Sequence, residues 1–216
     1  MLEQCLEELA REFPGRAFQV AENIPGEPDQ LYTVGCYSNR EGKVLRCYTG
    51  RKITQYSYHH GMASVAESLE LPRAVVHAAC NLLEGARFHG IAQVEFKYDA
   101  RDGQYKLLEI NGRSWLWVKL AAYSGVNLPL IQYCDLTGDS RLPELLASPQ
   151  RNDRFFVFDY HVRRNNLASE RQRIAELKQS KTLIPAMDAD GEWRLRFVHG
   201  VVSSLKLLRN AASAEP

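Results

Sequence analysis

The chain predicts an α+β fold, a mainly antiparallel sheet with packed helices. Three observations predict it. Apolar, β-rich runs come in pairs joined by turn residues, at 31–37 with 43–49 and again across about 90–111. Strands precede and intermix with helices instead of alternating with them one for one. The composition, 45% hydrophobic and 25% charged over 216 residues, suits a soluble chain with a real core.

Taken in order, Leu2, Leu6 and Leu9 have helical spacing, so residues 2–13 read as a short helix stopped by Pro14-Gly15. Residues 17–22 read as a strand, and Ile24-Pro25-Gly26-Glu27-Pro28 as a loop. Asn39 to Gly42 supply turn chemistry between the first strand pair. Pro72 opens a helix whose stripe is Val75, Ala78, Ala79, Leu82 and Leu83. After the second hairpin, Ser114 is placed to cap a helix that Gly125 ends, and a further helix follows Pro129. Residues 138–153 read as a linker between a 1–137 domain and a helical extension over 154–216. In that extension Ser169-Glu170-Arg171-Gln172 has the pattern of a capping box, and a last apolar helix falls at 201–208. Arg163, Arg164, Arg171 and Arg173 read as a solvated helix face, and Trp115 and Trp117 as core or interface aromatics.

Charge and cysteine usage exclude several classes. Lys and Arg number 27 against 26 acids, so the net charge of +1 gives no field for nucleic acid or an anionic membrane. No apolar run has the length of a membrane span. The five cysteines form no CxxC pair, which points away from a zinc ribbon and toward free thiols in a reducing cytoplasm. Adjacent His59 and His60 would point to opposite faces of a strand, so they read as loop or surface residues, not as a metal pair.

The chemistry concentrates at 90–113. Asp102-Gly103 lies between two alternating runs. With a three-residue loop of Arg101, Asp102 and Gly103, Ala100 faces Gln104 and Glu95 faces Glu109, with Asn111 diagonal to them. Val94 then meets Ile110 and Phe96 meets Leu108 on an apolar face; a shift by one residue would put Glu95 on that face. Two like charges across a ladder cost roughly 0.2–1 kcal/mol, so something should compensate them. A hard dication such as Mg²⁺ or Mn²⁺ takes carboxylate and amide oxygens. A solvated polar face neutralised by Lys97, Lys106 or Arg113 fits the same pattern.

The stretch GIAQVEFKYDARDGQYKLLEINGRSW resembles the closing motif of ATP-grasp enzymes, carboxylate–amine-ligase-like members in particular. The resemblance extends over VAENIPG (20–26), GRKITQY (50–56) and GVNLP (125–129), and so covers about residues 17–137. It implies ATP and Mg²⁺ or Mn²⁺ as cofactors, with Glu95, Glu109 and Asn111 as metal ligands. It implies that Glu22, Asn23 and Ile24 form the hinge beside adenine and that Asp29 holds the ribose. Lys52 would reach the terminal phosphate, and Arg113 would contact phosphate or an acyl-phosphate intermediate. The chain departs from the pattern at Gly112, where proline is usual, at Thr54, where a second basic residue is usual, and at Ser57, where proline often stands.

The implied reaction is carboxylate activation by ATP followed by attack of an amine or similar nucleophile. The front of the family's domain, with its preceding α/β unit and further phosphate-binding lysines, has no counterpart before Ala17. The expectation is therefore a catalytic lobe completed by a partner chain or by self-association, acting on an unidentified carboxylate. The alternative is a non-catalytic module that binds ATP or metal, or serves only for interaction.

Overall fold

The computed structural model describes residues 2–18, 20–56 and 61–186. His59, His60 and the predicted helix at 201–208 lie outside the described residues.

The N-terminal helix α1, Leu2–Glu12, buries none of its residues. The expected strand at 17–22 does not form: the described residues there are irregular. The reason is topological. The ladder edges of β1 (Leu31–Ser38) are taken on one side by β2 (Val44–Gln55) and on the other by β4 (Gly90–Asp99), leaving no partner for another strand beside it. At its end Glu22 pairs with Arg101, and Ile24 just beyond it is buried.

The remaining strands are β3 (Ala63–Ser68), β5 (Gln104–Asn111), β6 (Arg154–Val157) and β7 (Thr182–Pro185). All seven form one sheet in the order β5-β4-β1-β2-β3-β6-β7. Every neighbouring pair is antiparallel except β6 with β7. The α+β, mainly antiparallel class read from the sequence is the class observed.

Alternation along β1 sorts the core into two layers. On one face Val34 and Cys36, with Ala92, Val94 and Phe96 of β4, meet Val75, Ala79 and Leu83 of α2 (Arg73–Gly85). Each such apolar side chain fully removed from water contributes about 1.5–3 kcal/mol. On the other face Tyr37, Tyr48 and Ile91 pack with Trp115, Trp117, Leu120 and Leu128. Leu120 belongs to α3 (Val118–Tyr123), and Leu128 opens α4 (Leu128–Thr137), which Asn127 caps through the Leu130 amide. Both tryptophans are buried, and a side chain at Gly35 would collide with one of them: a Cβ there would sit 2.1 Å from Trp115 Cη2. The glycine is needed for close approach, not for its backbone angle.

Three local expectations are corrected. Ser114 caps no helix; its carbonyl accepts from Arg113, and α3 starts at Val118 after a turn bonded to the Trp115 carbonyl. Ser169 is not an N-cap either. Helix α7 (Ala168–Ser180) begins one residue earlier, and Glu170 turns into the protein to accept from Thr54 and Asn165, so no reciprocal box forms. The β4–β5 loop has four residues, not three: Asp99 pairs with Gln104, and Gly103, at φ +70°, returns its amide to the Asp99 carbonyl. A bulge at Leu108 absorbs the difference, so Phe96 faces Leu107, while Val94 still faces Ile110 and Glu95 still faces Glu109.

The stretch 138–153 contains α5 (Leu142–Ala147) and, after it, Gln150, whose amide bonds Thr49 and the Leu69 carbonyl. Beyond it, β6 and β7 lengthen the sheet, beside α6 (Asp159–Asn165) and α7. The described part of 154–216 thus adds strands as well as helices.

Candidate functional site

The site grows from the strand period. Glu95 is directly opposite Thr33 on β1 and Glu109 on β5, so these side chains share one face of the sheet. Gln93, two residues before Glu95, lies on that face too and is opposite Asn111. Lys52 comes in from β2, which runs on past the predicted hairpin end at Thr49 as far as Gln55.

Their contacts form one network. Lys52 Nζ lies 2.9 Å from Glu95 Oε1 and 3.2 Å from Oε2, with both residues buried. Gln93 Nε2 donates to Glu95 Oε1 at 2.9 Å and to Thr33 Oγ1 at 3.1 Å. Asn111 Nδ2 donates to Glu109 Oε1 at 2.8 Å. Arg113, exposed, reaches Asn111 Oδ1 at 3.4 Å and the Ser114 carbonyl at 3.2 Å.

The two carboxylates are driven apart in acidity. Burial raises Glu95, Lys52 opposes that, and the contact with Glu109 adds to it. Glu109 is lowered, first by the Asn111 amide and then by Glu95 as a donor. Glu95 is thus the member that keeps a proton more readily, and Glu109 the one that stays ionised.

These groups lie in a cleft of about 670 Å³. Residues 22–28 form one wall, and Lys52, Gln55, Glu95 and Glu109 are on the other side. Of the residues singled out in the sequence, Glu22, Asn23, Ile24, Lys52, Glu95 and Glu109 therefore line one cleft. Glu22 is anchored by Arg101 at 2.7 Å, and Arg101 in turn clasps Asp99. Asn111 and Arg113 adjoin the cleft through Glu109 without lining it. Asp29 lines a neighbouring cavity of about 220 Å³ with Thr54, Glu170 and Arg173. The two cavities share Glu27, Pro28 and Gln55, so Asp29 is one wall away from Glu95.

Sequence reasoning missed Gln93, Thr33 and Gln55. The signal for Gln93 was available, since a residue two before a ligand on a strand shares its face. Thr33 and Gln55 needed the pairing of β1 with β4 and the full length of β2, neither of which a local pattern gives.

The oxygen donors suit a small, hard dication: two carboxylates on facing strands and an amide beside them. Among the described residues no group of three His, Cys, Asp or Glu side chains could hold a metal, so any such set depends on Asn111 as its third member. No described helix is long and apolar enough to cross a membrane.

No family model matches the chain. A D-aspartate ligase of Enterococcus faecium (strain Aus0004) is 27% identical over 113 residues, which is 50% of this chain and 26% of the relative. The chain thus spans about a quarter of that relative's length. Among solved structures, Rhizobium etli pyruvate carboxylase T882A is similar at a TM-score of 0.46 and 16% identity, over 58% of this chain and 12% of that one. The biotin carboxylase domain of a single-chain bacterial carboxylase is similar at 0.44 and 17%, over 58% and 31%. The resemblance to the ATP-grasp superfamily, read from the hairpin and its flanking motifs, is supported by the match to the ligase.

Proposed function

We propose that this chain forms the metal- and phosphate-binding wall of an ATP-dependent ligase site that activates a carboxylate as an acyl phosphate. The observation that carries the reading is the Lys52–Glu95–Glu109 cluster facing residues 22–28 across the cleft. A cation, two carboxylates and an amide within one network are what a nucleotide's terminal phosphates and their dication require.

In this reading Glu95, Glu109 and Asn111 hold Mg²⁺ or Mn²⁺, which when bound neutralises charge developing on the phosphates. Lys52 releases Glu95 and turns its ammonium to the terminal phosphate. Gln93 keeps Glu95 oriented while that exchange occurs. Glu22, Asn23 and Ile24 border the base, Asp29 the ribose side, and Arg113 approaches the transferred phosphoryl group from the Asn111 end. Positioning and electrostatics carry such a transfer, so no side chain need act as a nucleophile. A partner chain or a second copy completing the site belongs to the same proposal. The edge strand β5, with Leu107, Leu108 and Ile110 each more than two-fifths exposed, is the side such a lobe would cover.

One observation favours a second reading. Lys52 already neutralises Glu95, so the cluster can persist as a self-satisfied ion pair in a module that catalyses nothing. Calorimetry of ATP binding with and without Mg²⁺, on wild type and Glu109→Gln side by side, separates a working metal and nucleotide site from a self-satisfied ion pair. Magnesium-dependent binding that disappears in the variant is the expected result. Absence of binding in wild type would overturn the ligase reading and leave the second.

A further inference from the structure

Three of the five cysteines meet on the sheet face opposite the cleft. Cys36 on β1 and Cys47 on β2 are direct cross-strand partners, with sulfurs 3.5 Å apart. Cys80 on α2 brings its sulfur to 3.5 Å from that of Cys47. The three are not equivalent. Cys36 is fully buried, whereas Cys47 and Cys80 are partly open to solvent. His77 lies one helical turn before Cys80, on the same side of α2.

We propose that Cys80 and Cys47 form a peroxide-responsive thiol pair, with Cys80 the sulfur that is oxidised first and Cys47 the one that resolves it into a disulfide. Sulfur chemistry assigns the order. Reaction with peroxide requires a thiolate that solvent can reach. Cys80 meets both conditions: it is partly open to solvent, and its thiol neighbours, aided by His77, pull it below the ordinary thiol range. Cys47 is held the other way. Its contact with Cys36 lowers it, but the Cys80 contact and burial outweigh this and push it up to about 12. It therefore stays a thiol until Cys80 has been oxidised.

The steps balance. The Cys80 thiolate attacks one oxygen of hydrogen peroxide; an S–O bond forms, the O–O bond breaks, and the hydroxide released is protonated to water. Cys47 sulfur then attacks Cys80 sulfur. The S–S bond forms, the S–O bond breaks, and the departing hydroxide takes the Cys47 proton as a second water. Two thiols and one peroxide yield one disulfide and two waters, with peroxide reduced and sulfur oxidised. The product ties α2 to β2, the strand that carries Lys52 five residues further on.

The test treats the full chain with hydrogen peroxide under metal-free conditions, blocks remaining thiols, and maps disulfides by mass spectrometry of a non-reducing digest. A Cys47–Cys80 cross-link is expected, lost on treatment with a thiol reductant. In Cys47→Ser the sulfenic acid should persist and take a dimedone label at Cys80. Cys5, exposed on α1, is the internal control. On accessibility alone Cys5 would label first; Cys80, pulled below the ordinary thiol range, should exceed it on the order of tenfold at neutral pH. A Cys36–Cys47 cross-link in place of Cys47–Cys80, or labelling at Cys5 ahead of Cys80, would overturn the proposal. The disulfide map needs only wild type, so it decides the matter even if the serine variant folds poorly.

Discussion

Replacing Lys52 with methionine isolates what the buried cation does. Methionine keeps the apolar stem in its place and removes only the charge, and Lys52 is 8% exposed, so packing changes little. Glu95 then keeps the Gln93 amide as a donor but has lost its counter-charge. Leaving a buried carboxylate charged and unpaired costs about 3–5 kcal/mol. The protein has a cheaper course, which is to protonate Glu95. From an ordinary value of 4.5, that costs about 1.4 kcal/mol for each pH unit above it. The loss is thereby capped at about 3 kcal/mol at pH 7 and falls to about 0.7 kcal/mol at pH 5. The sign is set by the direction of the Glu95 shift: its folded value is raised, so the penalty is small in acid and grows as pH rises. Urea unfolding at the two pH values measures it, with Lys52→Met/Glu95→Gln recovering most of the loss at pH 7. A loss independent of pH, or a double variant no better than the single one, would refute the role of Lys52 as the counter-charge of Glu95.

Two further outcomes test the frame around the site. Gly35→Ala should cost about 1–3 kcal/mol in urea unfolding and shift tryptophan fluorescence, because the added methyl would lie 2.1 Å from Trp115 Cη2; a neutral substitution would mean that Trp115 is not seated on the sheet there. Acid should destabilise the fold through Asp99, which Arg101 holds down to about 2 from 3.8, so its contribution is present above pH 3.8 and lost as pH falls toward 2. Melting temperatures between pH 5 and pH 2 should show that decline, and Arg101→Ala should flatten it.

Much of the site was legible because strand chemistry is local. The period of two puts Glu95 and Glu109 on one face once the apolar face is chosen, and that pairing is observed. The loop was misread by one residue, yet the pairing at Glu95 held because the Leu108 bulge returned the register. A bulge reflects local sheet twist and has no reliable signature in a short sequence. The two misplaced helix starts share a cause. Ser114 and Ser169 are cap-type residues in sequence, but whether a hydroxyl caps depends on where tertiary packing sets the first turn. At 169–172 the decision was made by Glu170, drawn inward to Thr54, a residue more than a hundred positions away.

By itself the sequence determined the α+β class, the paired carboxylates with their asparagine, and the likeness to ATP-grasp ligases, because each rests on short-range periodicity or an ordered run of residues. Only the tertiary structure decided that Lys52 pairs with Glu95, that residues 22–28 face them across a cleft, that Asp29 falls in the adjoining cavity, and that Cys36, Cys47 and Cys80 converge. Those are meetings of side chains brought together by strand order and helix packing, and contacts between distant segments are set by the burial of whole faces, which no local pattern encodes.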